Sequence, residues 1–178
     1  MAHADMSNDR SGQKAITAEN FAQPDSRILY FFRDPEVWVR RCQEPTVASE
    51  VPQNVATLLE IAQGTISYGW FYYPLLSVGV EQCSRCLEAA ARERCKSIGI
   101  AVENTDNKGN LRPMPFANLI AALRKRGLLT DEDANRWDVG RDLRNIVAHP
   151  NDQLIFTPDQ VLGHLKTTIK LINRLFQR

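Results

Sequence analysis

Leu76-Ser77-Val78-Gly79-Val80-Glu81-Gln82-Cys83-Ser84-Arg85-Cys86-Leu87-Glu88-Ala89-Ala90-Ala91-Arg92 carries two stripes at once. Leu76, Val80, Cys83, Leu87, Ala90 and Ala91 recur at intervals of three and four, which puts them on one face of an α-helix. Glu81, Arg85, Glu88 and Arg92 fall on the opposite stripe with alternating sign, suiting a solvated ladder of ion pairs. The pattern restarts at Pro74 and continues to about Ser97. It predicts a helix about 36 Å long at 1.5 Å per residue, enough to form the axis of a domain.

Working outward, the neighbouring segments are helical too. Val55, Leu58, Leu59, Ala62 and Ile66 predict a helix from about Pro52 to Tyr68. Asp34 before Pro35 is an N-cap with proline at the first helical position, opening a short helix to about Cys42. Downstream, residues 101–115 hold Asn-Thr-Asp-Asn-Lys-Gly-Asn and two prolines and predict a surface loop. Phe116, Leu119, Ile120 and Leu123 build a further helix, stopped by Gly127. Thr130 with Asp133 resembles a capping box and opens a helix continuing to Ala148. Thr157-Pro158-Asp159-Gln160 opens the terminal helix, with Val161, Leu165, Ile169, Ile172 and Phe176 as its apolar stripe. Only Arg27–Phe32 has any strand character. The expected fold is all-α: an antiparallel helical bundle of about five helices over residues 27–178, preceded by a disordered, flexible tail at residues 1–26.

Composition bounds the function. The chain has 178 residues, an apolar fraction of 43% and a formal net charge of +1, so bulk electrostatics would not drive nucleic-acid binding. The 16 arginines against six lysines fit phosphate recognition, though GC-rich coding gives the same bias and is the reading favoured here. No apolar run is long enough to span a membrane and the first 26 residues are polar, so a soluble, cytoplasmic protein is expected. Cys83 and Cys86 form a CxxC. With no second CxxC and no nearby histidine, inside a helical pattern, they read as buried thiols rather than a zinc site. No metal or cofactor is called for.

One helix end carries chemistry: Leu143-Arg144-Asn145-Ile146-Val147-Ala148-His149-Pro150. On a helical wheel Val139, Leu143, Ile146 and Val147 cluster on one side and are expected to face the core. Arg141, Arg144, Asn145 and Ala148 lie on the other, with Asp138 nearby. Trp137 sits beside Arg141 and reads as an interface or stacking residue. Pro150 pushes His149 out of helical geometry, freeing it to swing toward Arg144 or toward a partner's copy of the site. Asn145, four residues earlier, can orient the imidazole.

These residue types suit cleavage of an RNA phosphodiester. Histidine titrates near neutrality, so it can take the proton of a 2′-hydroxyl or give one to the leaving oxygen. Arginine offers a planar fork to the scissile phosphate. Blander roles fit as well: His149 against the negative end of the helix dipole, and Arg144 in a surface ion pair with Asp138 or Asp142. Arg124-Lys125-Arg126 could contact an RNA backbone or simply solvate a helix end. His164 and His3 lie outside the motif and receive no role.

The string Arg144-Asn145 followed by Ala148-His149-Pro150, with Phe116-Ala117-Asn118-Leu119-Ile120 and Leu123 to Gly127 before it, resembles the signature of HEPN (higher eukaryote and prokaryote nucleotide-binding) domains. The resemblance spans about residues 55–176 and is sharp over 143–150. It implies a helical bundle that forms a homodimer with two Arg–His pairs facing each other. It also implies a metal-independent endoribonuclease, often a toxin or antiviral defence effector, with Arg144 and His149 as the catalytic pair. Other HEPN proteins lack catalysis and bind RNA, a nucleotide or a protein. Glu81 on the long helix would steady Arg144, as acidic residues on that helix do in the family. A cognate antitoxin or nucleotidyltransferase is an implied partner. HEPN toxins silenced by nucleotide transfer carry a tyrosine two residues after the histidine, however, and Asn151 stands there in this chain. The remaining reading is a structural helical adaptor.

Overall fold

The computed structural model describes residues 14–147 and 156–177, with side chains omitted at 144–147. Among the described residues it is predominantly helical: α1 (Pro35–Gln43), α2 (Gln53–Tyr68), α3 (Leu75–Ser97), α4 (Phe116–Lys125), α5 (Asp131–Val147) and α6 (Pro158–Phe176), with one small hairpin between α3 and α4. The all-α expectation holds, with six helices where about five were expected. No described helix is long and apolar enough to cross a membrane.

The helix α3 is the hub, packing against α2, α4, α5 and α6. Its six apolar stripe residues are all 1% exposed or less. Small residues set how closely the neighbours approach. A Cβ at Gly79 would overlap Ile66 of α2, and one at Gly140 would overlap Leu87 of α3. Local chemistry fixes the ends. Asp34 accepts a hydrogen bond from the Glu36 N–H at 2.8 Å to start α1. At the start of α6, Thr157 and Gln160 cap each other reciprocally. Gly127 adopts φ +73° to end α4, a conformation that disfavours any side chain.

Two side-chain bonds orient the bundle. The Tyr73 hydroxyl, just before α3, donates to the Phe156 carbonyl, just before α6, at 3.0 Å. Arg174, near the end of α6, bonds Asp133, near the start of α5, at 3.0 Å. The starts of α3 and α6 therefore lie together, while α5 packs along α3 and its first turn meets the end of α6 through that ion pair.

Three regions depart from the sequence reading. Residues 28–30 form a 3₁₀ turn, not a strand. The loop at 101–115 contains two paired antiparallel strands, β1 (Glu103–Thr105) and β2 (Leu111–Pro113), exposed at all six positions. Exposure on both faces removes the apolar alternation by which a strand is recognised. Arg92 anchors this hairpin at its base, donating to the Val102 and Met114 carbonyls at 2.8 and 3.1 Å.

The third departure is the boundary of the tail at residue 26, which falls inside a docked segment. Asp25 is 1% exposed, and its carboxylate accepts from the Tyr73 N–H and from the Arg27 backbone and guanidinium. Arg27 in turn lies over the Tyr73 ring, 4.9 Å from its centroid. Lys14 donates to three carbonyls, those of Asn20, Gln23 and Phe71. Polar bonds hold this stretch, so the absence of apolar periodicity gave no sign of it.

Candidate functional site

The candidate site lies on α5, and local sequence explains why that helix forms. Thr130 accepts from the Asp133 N–H at 3.1 Å. Asp131, Glu132 and Asp133 fill the first turn, where carboxylates complement the exposed N–H groups. The inward face is Asp133, Ala134, Trp137 and Gly140, all buried. Trp137 is fully enclosed and meets Phe116 of α4 edge-on, with ring centroids 6.2 Å apart.

This inward face corrects two expectations. Val139, expected in the core, is 58% exposed, and Trp137, expected at an interface, is fully buried. The helix carries two rival apolar groupings, and the close approach of Gly140 to Leu87 selects the one containing Trp137. Arg144 and Asn145 belong to the helical backbone of the last turns of α5. Ala148, His149, Pro150 and Asn151 lie outside the described residues.

One turn before the motif, Arg141 bonds Asp138 at 2.7 Å and Asp142 at 3.0 Å. Arg141 also lines a groove of about 550 Å³ between α4 and α5, together with Arg124, Lys125, Asp131 and Asp138. Arg124 bonds Asp131 at 2.8 Å. The sequence flagged Arg124 and Lys125 as a possible backbone contact and Arg141 as a binding residue; the fold puts all three around one groove. Two of the three cations already hold carboxylates. An incoming phosphate would have to compete with those carboxylates, while Lys125 pairs with none among the described residues.

Glu81 pairs with Arg85 at 2.7 Å through one carboxylate oxygen, and Glu88 pairs with Arg92 at 3.2 Å. These are the rungs expected of the charged stripe. Among the described residues no group of three His, Cys, Asp or Glu side chains is placed to hold a metal ion. All four cysteines are buried and unpaired. Burial pushes the Cys42 and Cys86 thiols up to about 12 and Cys83 higher still, so none is poised as a thiolate.

His164, given no role from the sequence, is set into α6 with its Nε2 buried and without a hydrogen-bond partner among the described residues. Burial lowers its pKa, favouring the neutral ring. Lying in a regular amphipathic helix, it offered no sequence signal. Comparison with family models, with curated proteins and with solved structures returns no match to this chain.

Proposed function

We propose that this chain is a HEPN-type, metal-independent endoribonuclease acting as a homodimer, with Arg144 and His149 as the catalytic pair. The observation that carries the reading is the Arg144-Asn145…Ala148-His149-Pro150 string closing a long helix whose previous turn presents Arg141 to the Arg124–Lys125 groove. In this mechanism His149 takes the proton from a ribose 2′-hydroxyl as that oxygen attacks phosphorus. Arg144 holds the non-bridging oxygens as charge builds on them. The 5′-oxygen leaves with a proton supplied by the partner's copy of the imidazole, giving a 2′,3′-cyclic phosphate and a 5′-hydroxyl. A role as toxin or defence effector, with a cognate antitoxin, follows from the same resemblance. Asn151 in place of tyrosine argues against silencing by nucleotide transfer to that position.

A second reading is a non-catalytic HEPN-like module that binds RNA, a nucleotide or a protein. It is favoured by the pairing of Arg141 and Arg124 with carboxylates and by the net charge of +1. Purified chain incubated with RNA in EDTA separates the two. Cleavage yielding cyclic-phosphate ends, lost in His149→Ala, supports the nuclease. Retention of RNA without cleavage supports the module. Equal cleavage by wild type and variant defeats the assignment of the site.

A further inference from the structure

At the other end of the sequence, α1 and α2 enclose a groove of about 790 Å³ that the α5 chemistry does not use. The volume falls within the range of small-molecule sites. Its walls are largely apolar, with Val39, Val47, Tyr68 and Phe71 among them, and Gly64 of α2 opens onto it. The Tyr68 and Phe71 rings form a tilted pair with centroids 6.2 Å apart.

Gly64 stands in the middle of α2, where glycine weakens a helix relative to alanine. Close packing explains Gly69, Gly79 and Gly140, and a positive φ explains Gly99, Gly109 and Gly127. At Gly64, as at Gly163 of α6, a Cβ would meet no atom within 4 Å, and of the two Gly64 alone lines the groove. Neither packing nor backbone geometry requires glycine there, and the space over it belongs to the groove.

Gln63, Ser67 and Glu60 present acceptors to the groove, while Gln43 and Thr46, which also line it, carry donors as well. Gln63 uses its amide N–H groups on the Cys42 and Pro45 carbonyls, both at 3.1 Å, leaving its side-chain oxygen free to accept. Ser67 spends its hydroxyl proton on the Gln63 carbonyl at 2.8 Å. Glu60 supplies a carboxylate that pairs with no cation among the described residues, and Tyr68 and Phe71 line the same groove. Acceptors and a lone carboxylate complement a donor that carries positive charge, and the aromatic pair complements an apolar body.

We infer that the α1–α2 groove binds a compact organic cation with an apolar body, its ammonium near Glu60 and its body against Tyr68 and Phe71 over Gly64. Isothermal titration of the full chain with 4-phenylbutylammonium, 4-phenylbutan-1-ol and 4-phenylbutanoate tests it. The amine should bind about fivefold tighter than the alcohol, the size of one exposed charge contact, and the carboxylate weakest. Glu60→Gln should bring the amine down to the alcohol. Gly64→Leu should abolish binding of both, while circular dichroism shows an intact helix, because leucine is a good helix former and the site has room. Equal affinities for amine and carboxylate, binding that survives Gly64→Leu, or no binding by the amine would each overturn the assignment. RNA cleavage reads the α5 site separately and should be unchanged in both variants.

Discussion

Gly140 of α5 lies so close to Leu87 of α3 that a single added carbon would overlap the leucine side chain. That contact brings the two helices together and decides which face of α5 turns inward. Gly140→Leu should destabilise the fold by about 1–3 kcal/mol, the usual cost of overpacking. Trp137→Ala should cost about 3–5 kcal/mol through the cavity it leaves. Trp137→Phe should cost much less, because the indole N–H is buried without an acceptor among the described residues and its removal offsets part of the lost volume. Urea unfolding of the three variants checks the order.

The Asp25 carboxylate predicts an acid-sensitive contact. Burial alone would raise its pKa, but hydrogen bonds from Arg27 and the Tyr73 N–H outweigh it and lower the pKa below the ordinary aspartate value. A depressed folded-state pKa contributes stability above the unfolded value of about 3.9, lost as pH falls through the folded value. Wild-type stability should therefore drop between pH 5 and the more acidic range by more than that of Asp25→Asn. At neutral pH Asp25→Ala should cost about 2–4 kcal/mol, because it strands the Tyr73 N–H and the Arg27 guanidinium. Denaturant midpoints across pH measure both.

His164 predicts a second, higher window. Its folded pKa lies below the unfolded value of about 6.5 because burial disfavours the charged ring. The unfolded chain then takes up the proton first, and stability falls as pH drops below that value toward the folded one. His164→Gln should flatten this part of the profile while leaving the Asp25 window in place. A profile between pH 7 and 5 unchanged by the substitution would contradict the assignment.

Arg141 tests how the groove between α4 and α5 relates to RNA. Asp138→Asn removes one carboxylate from the guanidinium and should tighten RNA binding severalfold at low salt, whereas Arg141→Ala should weaken it. The same measurement at higher salt should shrink both effects. If Asp138→Asn leaves affinity unchanged, the groove takes no part in RNA binding.

The sequence by itself determined what depends on near neighbours. The long stripe of α3, the Asp34 and Thr157 caps and the Gly127 stop all rest on residues within a turn or two of one another, and each stands in the structure where the pattern set it. The Arg144–His149 string is also read from near neighbours, as a linear motif, and its histidine lies outside the described residues.

Only the tertiary structure decided what depends on distant partners. Both rival apolar groupings of α5 satisfy helical spacing, and a contact with Leu87, 53 positions earlier in the chain, chose between them. Asp25 is read as tail until Tyr73, 48 residues away, meets its carboxylate. Arg92 is read as one rung of a ladder until it also grips the hairpin carbonyls. Periodicity reports which residues share a face, but packing free energy determines what that face meets.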